Sequence, residues 1–188
     1  MHLLRDPFLE PDGDPTLKEA RVIGIGSPFG DDQVGWRVVE ALRQAISGTE
    51  IEGGCWLAAC DRPGPGLLSL MEGAQAVWLV DAVLAGGQPG SIYRLEPREA
   101  EWAEQTWSGH GLGLASSLAL GRALGGLPEH VVIYGIEAGA VTPIPDGELS
   151  RDVQGAVTPV ARALVKELRA FLSAAPAALV TEHGGDAK

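Results

Sequence analysis

Two carboxylates and one imidazole are the side chains of this sequence whose type and setting suit chemistry. Asp32 lies in a glycine-containing loop, Asp81 ends an apolar run, and His110 lies between two glycines. A carboxylate in an apolar run is costly to bury unless it is paired or bound to a ligand. Glycines beside a histidine let a ligand approach the backbone. This mixed oxygen and nitrogen set predicts a site for a borderline divalent metal such as nickel or zinc.

Each of these residues also has an ordinary structural explanation. An N-cap at the helix that follows would account for Asp31 or Asp32, although not for both. A turn would account for Asp81, and a single histidine in a loop is more often incidental. The end of a strand is nevertheless a favourable place for a functional carboxylate, which keeps Asp81 a candidate. The other histidines lie near the chain ends or in a Pro-Glu-His turn and are His2, His183 and His130.

Residues 24–35 form a glycine-containing loop that first suggests a nucleotide site. The dinucleotide fingerprint is G-x-G-x-x-G, but Gly30 comes one position too late, and Asp31 and Asp32 stand where a pyrophosphate would meet the helix. Like charges repel there, which disfavours dinucleotide binding. The chain also has no G-x-S-x-G, H-E-x-x-H, Walker or C-x-x-C motif, which argues against ordinary serine hydrolases, zincins and NTPases.

Alternating strands and helices must position these residues. Apolar runs bounded by glycine or proline predict strands, and apolar positions at helical spacing predict helices between them. The alternation predicts one α/β domain with a mostly parallel sheet that helices cover on both faces, so ligands should lie beyond the carboxyl ends of the strands. The predicted strands are 21–25, 50–58, 76–81, 91–95 and 131–136, and the predicted helices are 34–47, 66–72, 113–124 and 153–172.

Composition sets the broad class of the protein. With 188 residues and a formal net charge of −11, we expect one domain without attraction for nucleic acid or an anionic membrane surface. No apolar run reaches the roughly 20 residues of a membrane span, and the opening residues contain no signal-peptide core. We therefore expect a cytoplasmic protein with Cys55 and Cys60 as reduced thiols. The expected division is a flexible leader (1–19), the α/β domain (20–173) and a flexible tail (174–188).

Five motifs occur in an order that resembles the hydrogenase-maturation endopeptidase family. They are the strand and loop with G-x-G and D-D-x-x-G (24–35), an Asp before a Gly-rich turn and a short helix (61–68), a strand ending in Asp-Ala (77–82), His-x-x-Gly-Leu (110–114) and a strand ending in Gly-Ile-Glu (135–137). Three positions depart from the family pattern. Ser27 replaces the usual Asn, Gln33 replaces a frequent Gly, and the Arg62-Pro63 pair is unusual.

The resemblance implies a twisted five-stranded sheet in three α/β/α layers and an endopeptidase. Its substrate would be a nickel-iron hydrogenase large-subunit precursor, which loses its C-terminal extension. The family's acid, acid and histidine that contact nickel map onto Asp32, Asp81 and His110, which also makes them the expected catalytic residues. The precursor would supply the nickel, with no organic cofactor, to a monomeric enzyme. The Gly-rich turn implies substrate recognition by Asp61, Gly64 and Gly66.

Three alternatives stay open. A precursor chaperone would sense nickel in the same crevice without cutting, and a nucleotide-binding domain would show affinity for ATP or NAD. A peptidase of the same fold could act on another protein, because a fold does not fix a function. Within the endopeptidase hypothesis, nickel polarises the carbonyl or activates water, with one aspartate as a general base.

Overall fold

The computed structural model describes residues 18–97, 99, 112–139 and 147–174. It contains one five-stranded sheet of order β2-β1-β3-β5-β4, in which only the edge strand β4 runs antiparallel to its neighbour. This confirms the predicted mostly parallel α/β sheet. The strands are β1 (Ala20–Gly26), β2 (Cys55–Asp61), β3 (Ala76–Val83), β4 (Ile92–Leu95) and β5 (His130–Glu137), and the helices are α1 (Val34–Ile46), α2 (Leu67–Met71), α3 (Leu112–Ala123) and α4 (Arg151–Ala174).

Helices pack on both faces of the sheet. The apolar sides of α1 and α4 bury one face, around Val22, Trp78 and Tyr134. The other face packs against α2 and α3, where Leu67 and Leu118 are buried. Central strands covered on both faces are apolar almost throughout, and every residue of β1 and of β3 is buried. The buried Asp81 within β3 is therefore an exception to the composition of its strand.

The chain changes direction across the sheet between β1 and β3. From β1 it crosses to β2 on one side, and β3 then pairs with β1 on the other side. A crevice forms at such a switch point beyond the carboxyl ends of the two strands, and ligands of open α/β sheets bind there. The loop after β1 carries Asp32 and β3 carries Asp81, so both candidate carboxylates flank this crevice.

Glycines bring the first strand and the first helix unusually close. A Cβ atom on Gly24 would collide with the carbonyl oxygen of Gly35, and one on Gly35 would collide with the carbonyl oxygen of Ile25. The two glycines thus allow α1 to lie directly against β1. Close packing of helix on strand explains these glycines without a bound phosphate.

The predicted second strand was placed too early. The prediction was 50–58, whereas β2 covers Cys55–Asp61 and residues 50–54 form turns. Ile51 is buried and gave the apolar signal, but Gly54 lies against α4, where an added Cβ would be 2.6 Å from Leu172 Cδ1.

Cys55 and Cys60 are free thiols on β2. His130, predicted in a turn, begins β5 and contacts the Trp78 ring at a centroid distance of 5.7 Å.

The described helices include none that is both long enough and apolar enough to cross a bilayer. The division into a leader, a domain and a tail stays a prediction, since residues 1–17 and 175–188 are outside the described part of the chain.

Candidate active site

Asp32 lies in a short 3-10 turn, Gly30–Gln33, between β1 and α1. Its side chain is buried, with 5% of the residue exposed. The Ser27 hydroxyl donates a hydrogen bond to the Asp32 carboxylate, and the Asp32 N–H donates to the Phe29 carbonyl at 3.1 Å. The carboxylate is therefore fixed by the turn and by one hydroxyl. Ser27, which departs from the family pattern, supplies that hydroxyl.

Asp81 lies on the neighbouring central strand, where it is 4% exposed. The N–H of Ala82 donates to its Oδ1 at 2.9 Å. Burial raises the pKa of Asp81 to about 8, with a further contribution from the negative charge of Asp32, while the Ala82 hydrogen bond opposes the shift. The raised pKa favours the protonated form of Asp81 at neutral pH. A cation entering between the two carboxylates would favour release of that proton.

The two carboxylates line one cavity of about 110 Å³. Both are predicted site residues, and the fold brings them together at the crevice between β1 and β3. The cavity wall is otherwise mostly apolar, which lowers the local dielectric and strengthens the attraction for a cation. Its lining residues are Ile25, Gly26, Asp32, Arg62, Pro63, Gly64, Leu67, Asp81 and Leu114.

The predicted recognition residues belong to the segment between β2 and α2, of which Arg62, Pro63 and Gly64 line the cavity. Asp61 ends β2 and forms an ion pair with Arg62, with Nε to Oδ1 at 2.5 Å and Nη2 to Oδ2 at 3.2 Å. Gly64 has a φ of 50° and lines the cavity. Gly66 ends the short turn that leads into α2, and the space where its side chain would be is open. Substrate recognition by these three residues stays a prediction.

Asp31 has a different role from its neighbour Asp32. Its carboxylate accepts hydrogen bonds from the N–H of Gly139 at 2.9 Å and of Ser150 at 2.6 Å. No side chain caps this turn in the described hydrogen bonds, so the N-cap explanation was wrong. The two adjacent aspartates therefore have different roles. Asp31 connects the turn to Gly139 and Ser150, whereas Asp32 lines the cavity.

His110 lies outside the described residues, as does any contact it makes. Within the described ranges, no three His, Cys, Asp or Glu side chains form a group suited to a metal ion. Asp32 and Asp81 supply two oxygen donors, and the remaining predicted donor stays a prediction.

Comparison with known proteins gives a consistent result. The profile of the HycI hydrogenase maturation protease family matches residues 37–167, well over half of the chain. The chain belongs to the hydrogenase maturation protease family. The hydrogenase expression/formation protein HupD of Thiocapsa roseopersicina is 27% identical over 157 residues, which cover 81% of this chain and 69% of that protein.

Two solved structures show the same fold. The hydrogenase maturating endopeptidase HybD from E. coli superposes with a TM-score of 0.69 at 23% identity, over 81% of this chain and 93% of that one. The hydrogenase 2 maturation peptidase of a Thaumarchaeota archaeon superposes with a TM-score of 0.54 at 27% identity, over 80% and 98% of the two chains. These structures confirm the α/β fold, and the family match makes the protein a peptidase.

The sequence did not reveal the roles of two residues, Arg62 at the cavity and Glu137 in the sheet. Arg62 lines the cavity, and its departure from the family pattern was the available signal. Glu137 ends β5, is 2% exposed, and accepts hydrogen bonds from Ala85 N–H, Gly86 N–H and the Tyr93 hydroxyl at 3.0 to 3.2 Å. The Gly-Ile-Glu motif marked the position of Glu137, but its hydrogen bonds connect residues that are far apart in the sequence.

Proposed function

We propose that this protease removes the C-terminal extension of a nickel-loaded nickel-iron hydrogenase large-subunit precursor. The observation that carries this proposal is the pairing of Asp32 and Asp81 in one buried cavity. Two buried carboxylates with little local compensation favour a divalent cation, and oxygen donors with an added imidazole suit nickel. Family membership supplies the hydrolytic reaction, and the two carboxylates that line one cavity support metal binding there.

Nickel enters this scheme as part of the substrate. The precursor brings the ion into the cavity, where Asp32, Asp81 and His110 contact it. Asp81 gives up its proton as the cation arrives, because a positive charge reverses the effects of burial and of Asp32 on its pKa. The ion then polarises the scissile carbonyl, and one of the two aspartates accepts a proton from the attacking water. In this scheme, only a precursor that carries nickel brings an ion that both carboxylates can bind.

The predicted recognition residues belong to the same proposal. Asp61, Gly64 and Gly66 contact the precursor peptide as it enters, which agrees with the position of their segment beside the cavity. The enzyme acts as a monomer in the cytoplasm, where free thiols such as Cys55 and Cys60 stay reduced. Size-exclusion chromatography with light scattering checks the monomer, and cell fractionation checks the location.

Co-expression with the precursor tests the function. Asp32→Asn, Asp81→Asn and His110→Ala each remove one proposed nickel contact, so the precursor should keep its full length on a denaturing gel. Asp31→Asn is the matched control, since it makes the same change at the next residue, whose carboxylate bonds to Gly139 and Ser150. The control should trim within about threefold of the wild-type rate. Unimpaired trimming by Asp32→Asn would refute the proposed site.

The chaperone alternative predicts a different product. A chaperone that senses nickel without cutting would bind the precursor and leave its mass unchanged. Mass spectrometry of a purified nickel-loaded precursor after incubation with the purified protein separates the two. A fragment lost from the C-terminus supports the peptidase, and an intact mass supports the chaperone.

A further inference from the structure

Arg62 combines an unusual backbone with an unusual position. Its φ is 42°, in the left-handed region that favours glycine. Its N–H donates to the Gly26 carbonyl at 3.1 Å, which ties it to the end of β1. A large side chain in this conformation carries a conformational cost that glycine would avoid. The guanidinium is therefore the part of the residue that needs an explanation.

The guanidinium is held at the mouth of the cavity. The Asp61 carboxylate accepts hydrogen bonds from Nε and Nη2 of Arg62, and these two bonds orient the planar guanidinium. The side chain is 55% exposed and lines the cavity that contains Asp32 and Asp81. Of the residues described around the cavity, Arg62 is the one cation. A guanidinium has five N–H donors, so donors remain beyond those that face Asp61.

We propose that Arg62 is a substrate-positioning residue that donates hydrogen bonds to a main-chain carbonyl of the precursor peptide at the cavity mouth. A neutral acceptor fits better than a carboxylate, because Asp61 already balances the charge of Arg62. A peptide carboxylate would also face Asp32 within the same cavity. A carbonyl oxygen accepts from the free donors without that repulsion. Arg62 then fixes the peptide beside the two carboxylates without taking part in bond cleavage.

Because this inference rests on the proposed function, its test starts from wild-type trimming of a nickel-loaded large-subunit precursor. The variants are Arg62→Gly, Arg62→Ala and Arg62→Lys, and KM and kcat are measured separately. Loss of a charged hydrogen-bond donor should raise KM about 10-fold or more, with kcat within about threefold of wild type. The KM of Arg62→Lys should lie between those of the wild type and of Arg62→Ala, because lysine keeps the charge but lacks the planar guanidinium.

Arg62→Gly separates recognition from stability. Glycine suits the positive φ, so this variant should unfold at or above the temperature of Arg62→Ala while sharing its raised KM. A structural role alone would leave KM near the wild-type value in the better-folded glycine variant. That result would overturn the inference while wild-type trimming still supports the proposed function. A wild-type protein that does not trim the loaded precursor would overturn both.

Salt distinguishes the two possible acceptors. With a neutral carbonyl acceptor, the KM ratio of Arg62→Gly to wild type should be nearly the same at 50 and 300 mM NaCl. With a carboxylate acceptor, screening would shrink that ratio as salt rises. A shrinking ratio would overturn the assignment to a main-chain carbonyl.

Discussion

Asp81 and Glu137 are both buried carboxylates at the carboxyl ends of neighbouring strands, but they have opposite surroundings. Glu137 is 2% exposed and accepts three hydrogen bonds, two from backbone N–H groups and one from Tyr93. Asp81 is 4% exposed and accepts one from the described residues, from the N–H of Ala82. A second carboxylate, Asp32, shares its cavity.

The difference shows how to tell a structural acid from a functional one. Burial makes a charge costly in both places. Donors around Glu137 offset that cost and tie the loop after β3 to β5. Around Asp81 the cost is not offset, and its pKa rises to about 8, chiefly through burial. The less compensated carboxylate is the one that gains from a cation, which supports the proposal that the metal binds between β1 and β3.

The largest expected effect is the loss of trimming on removing the Asp81 charge. Asp81→Asn keeps the shape of the side chain but removes a metal contact and a possible proton acceptor, so kcat/KM should fall at least about 100-fold. The thermal midpoint at pH 7 should stay level or rise, because a costly buried acid is gone. Trimming assays and thermal unfolding on the same sample check both. Lost trimming together with a clearly lower midpoint would make Asp81 a structural acid.

Glu137→Ala should lower the stability and leave trimming almost unchanged, which is the reverse of the result expected for Asp81→Asn. It leaves two N–H groups and a hydroxyl without their acceptor, at a net cost of roughly 3 kcal/mol. That corresponds to a drop of about 6–12 °C in the unfolding midpoint for a chain of this size. Trimming by the folded protein, measured well below that midpoint, should stay within about threefold of wild type. An unchanged midpoint would erase the contrast between the two acids.

Asp31→Ala extends the comparison to adjacent residues. It removes the acceptor of the Gly139 and Ser150 N–H groups, and a loss of roughly 2 kcal/mol should lower the unfolding midpoint by about 4–8 °C. Native-state hydrogen exchange should increase at those two amides. If Asp31→Ala instead abolishes trimming without loss of stability, the division of roles between Asp31 and Asp32 is wrong.

The stability of the protein should also depend on pH. Since the pKa of Asp81 is raised in the folded state, the folded protein binds more protons than the unfolded chain between about pH 4 and pH 8. Stability contributed by this group therefore falls as pH rises through that window. The midpoint difference between Asp81→Asn and wild type should grow by roughly 8–16 °C from pH 5 to pH 9, because each pH unit between 5 and the folded-state pKa of about 8 changes the stability by about 1.36 kcal/mol. A difference that is constant with pH would show that the pKa of Asp81 is not raised in the folded protein.

Most of the fold could be predicted from the sequence because local patterns encode it. Buried parallel strands such as β1 and β3 are continuous apolar runs, and the helical spacing of α1 is regular. The start of β2 was missed because Ile51 is buried in a turn rather than in a strand. Periodicity reports burial, and burial alone does not distinguish these two settings.

The site could be predicted only in part. The positions of Asp32 and Asp81 follow from the rule that ligands bind beyond strand ends, and the cavity contains both. The structural roles of Asp31 and Glu137 depend on hydrogen bonds to residues more than 40 positions away in sequence, which no local pattern encodes. His110 and its place in the site stay a prediction.

A double-mutant cycle in single-turnover trimming tests most directly that Asp32 and Asp81 act as one site. Asp32→Asn, Asp81→Asn and the double variant are incubated in excess over nickel-loaded precursor and sampled long enough to measure slow cleavage. Substitutions of groups that bind the same ion have strongly non-additive effects on the rate. The double variant should therefore cleave at a rate within about threefold of that of the slower single variant. Losses that multiply as for independent residues, or wild-type cleavage by either single variant, would contradict a shared site.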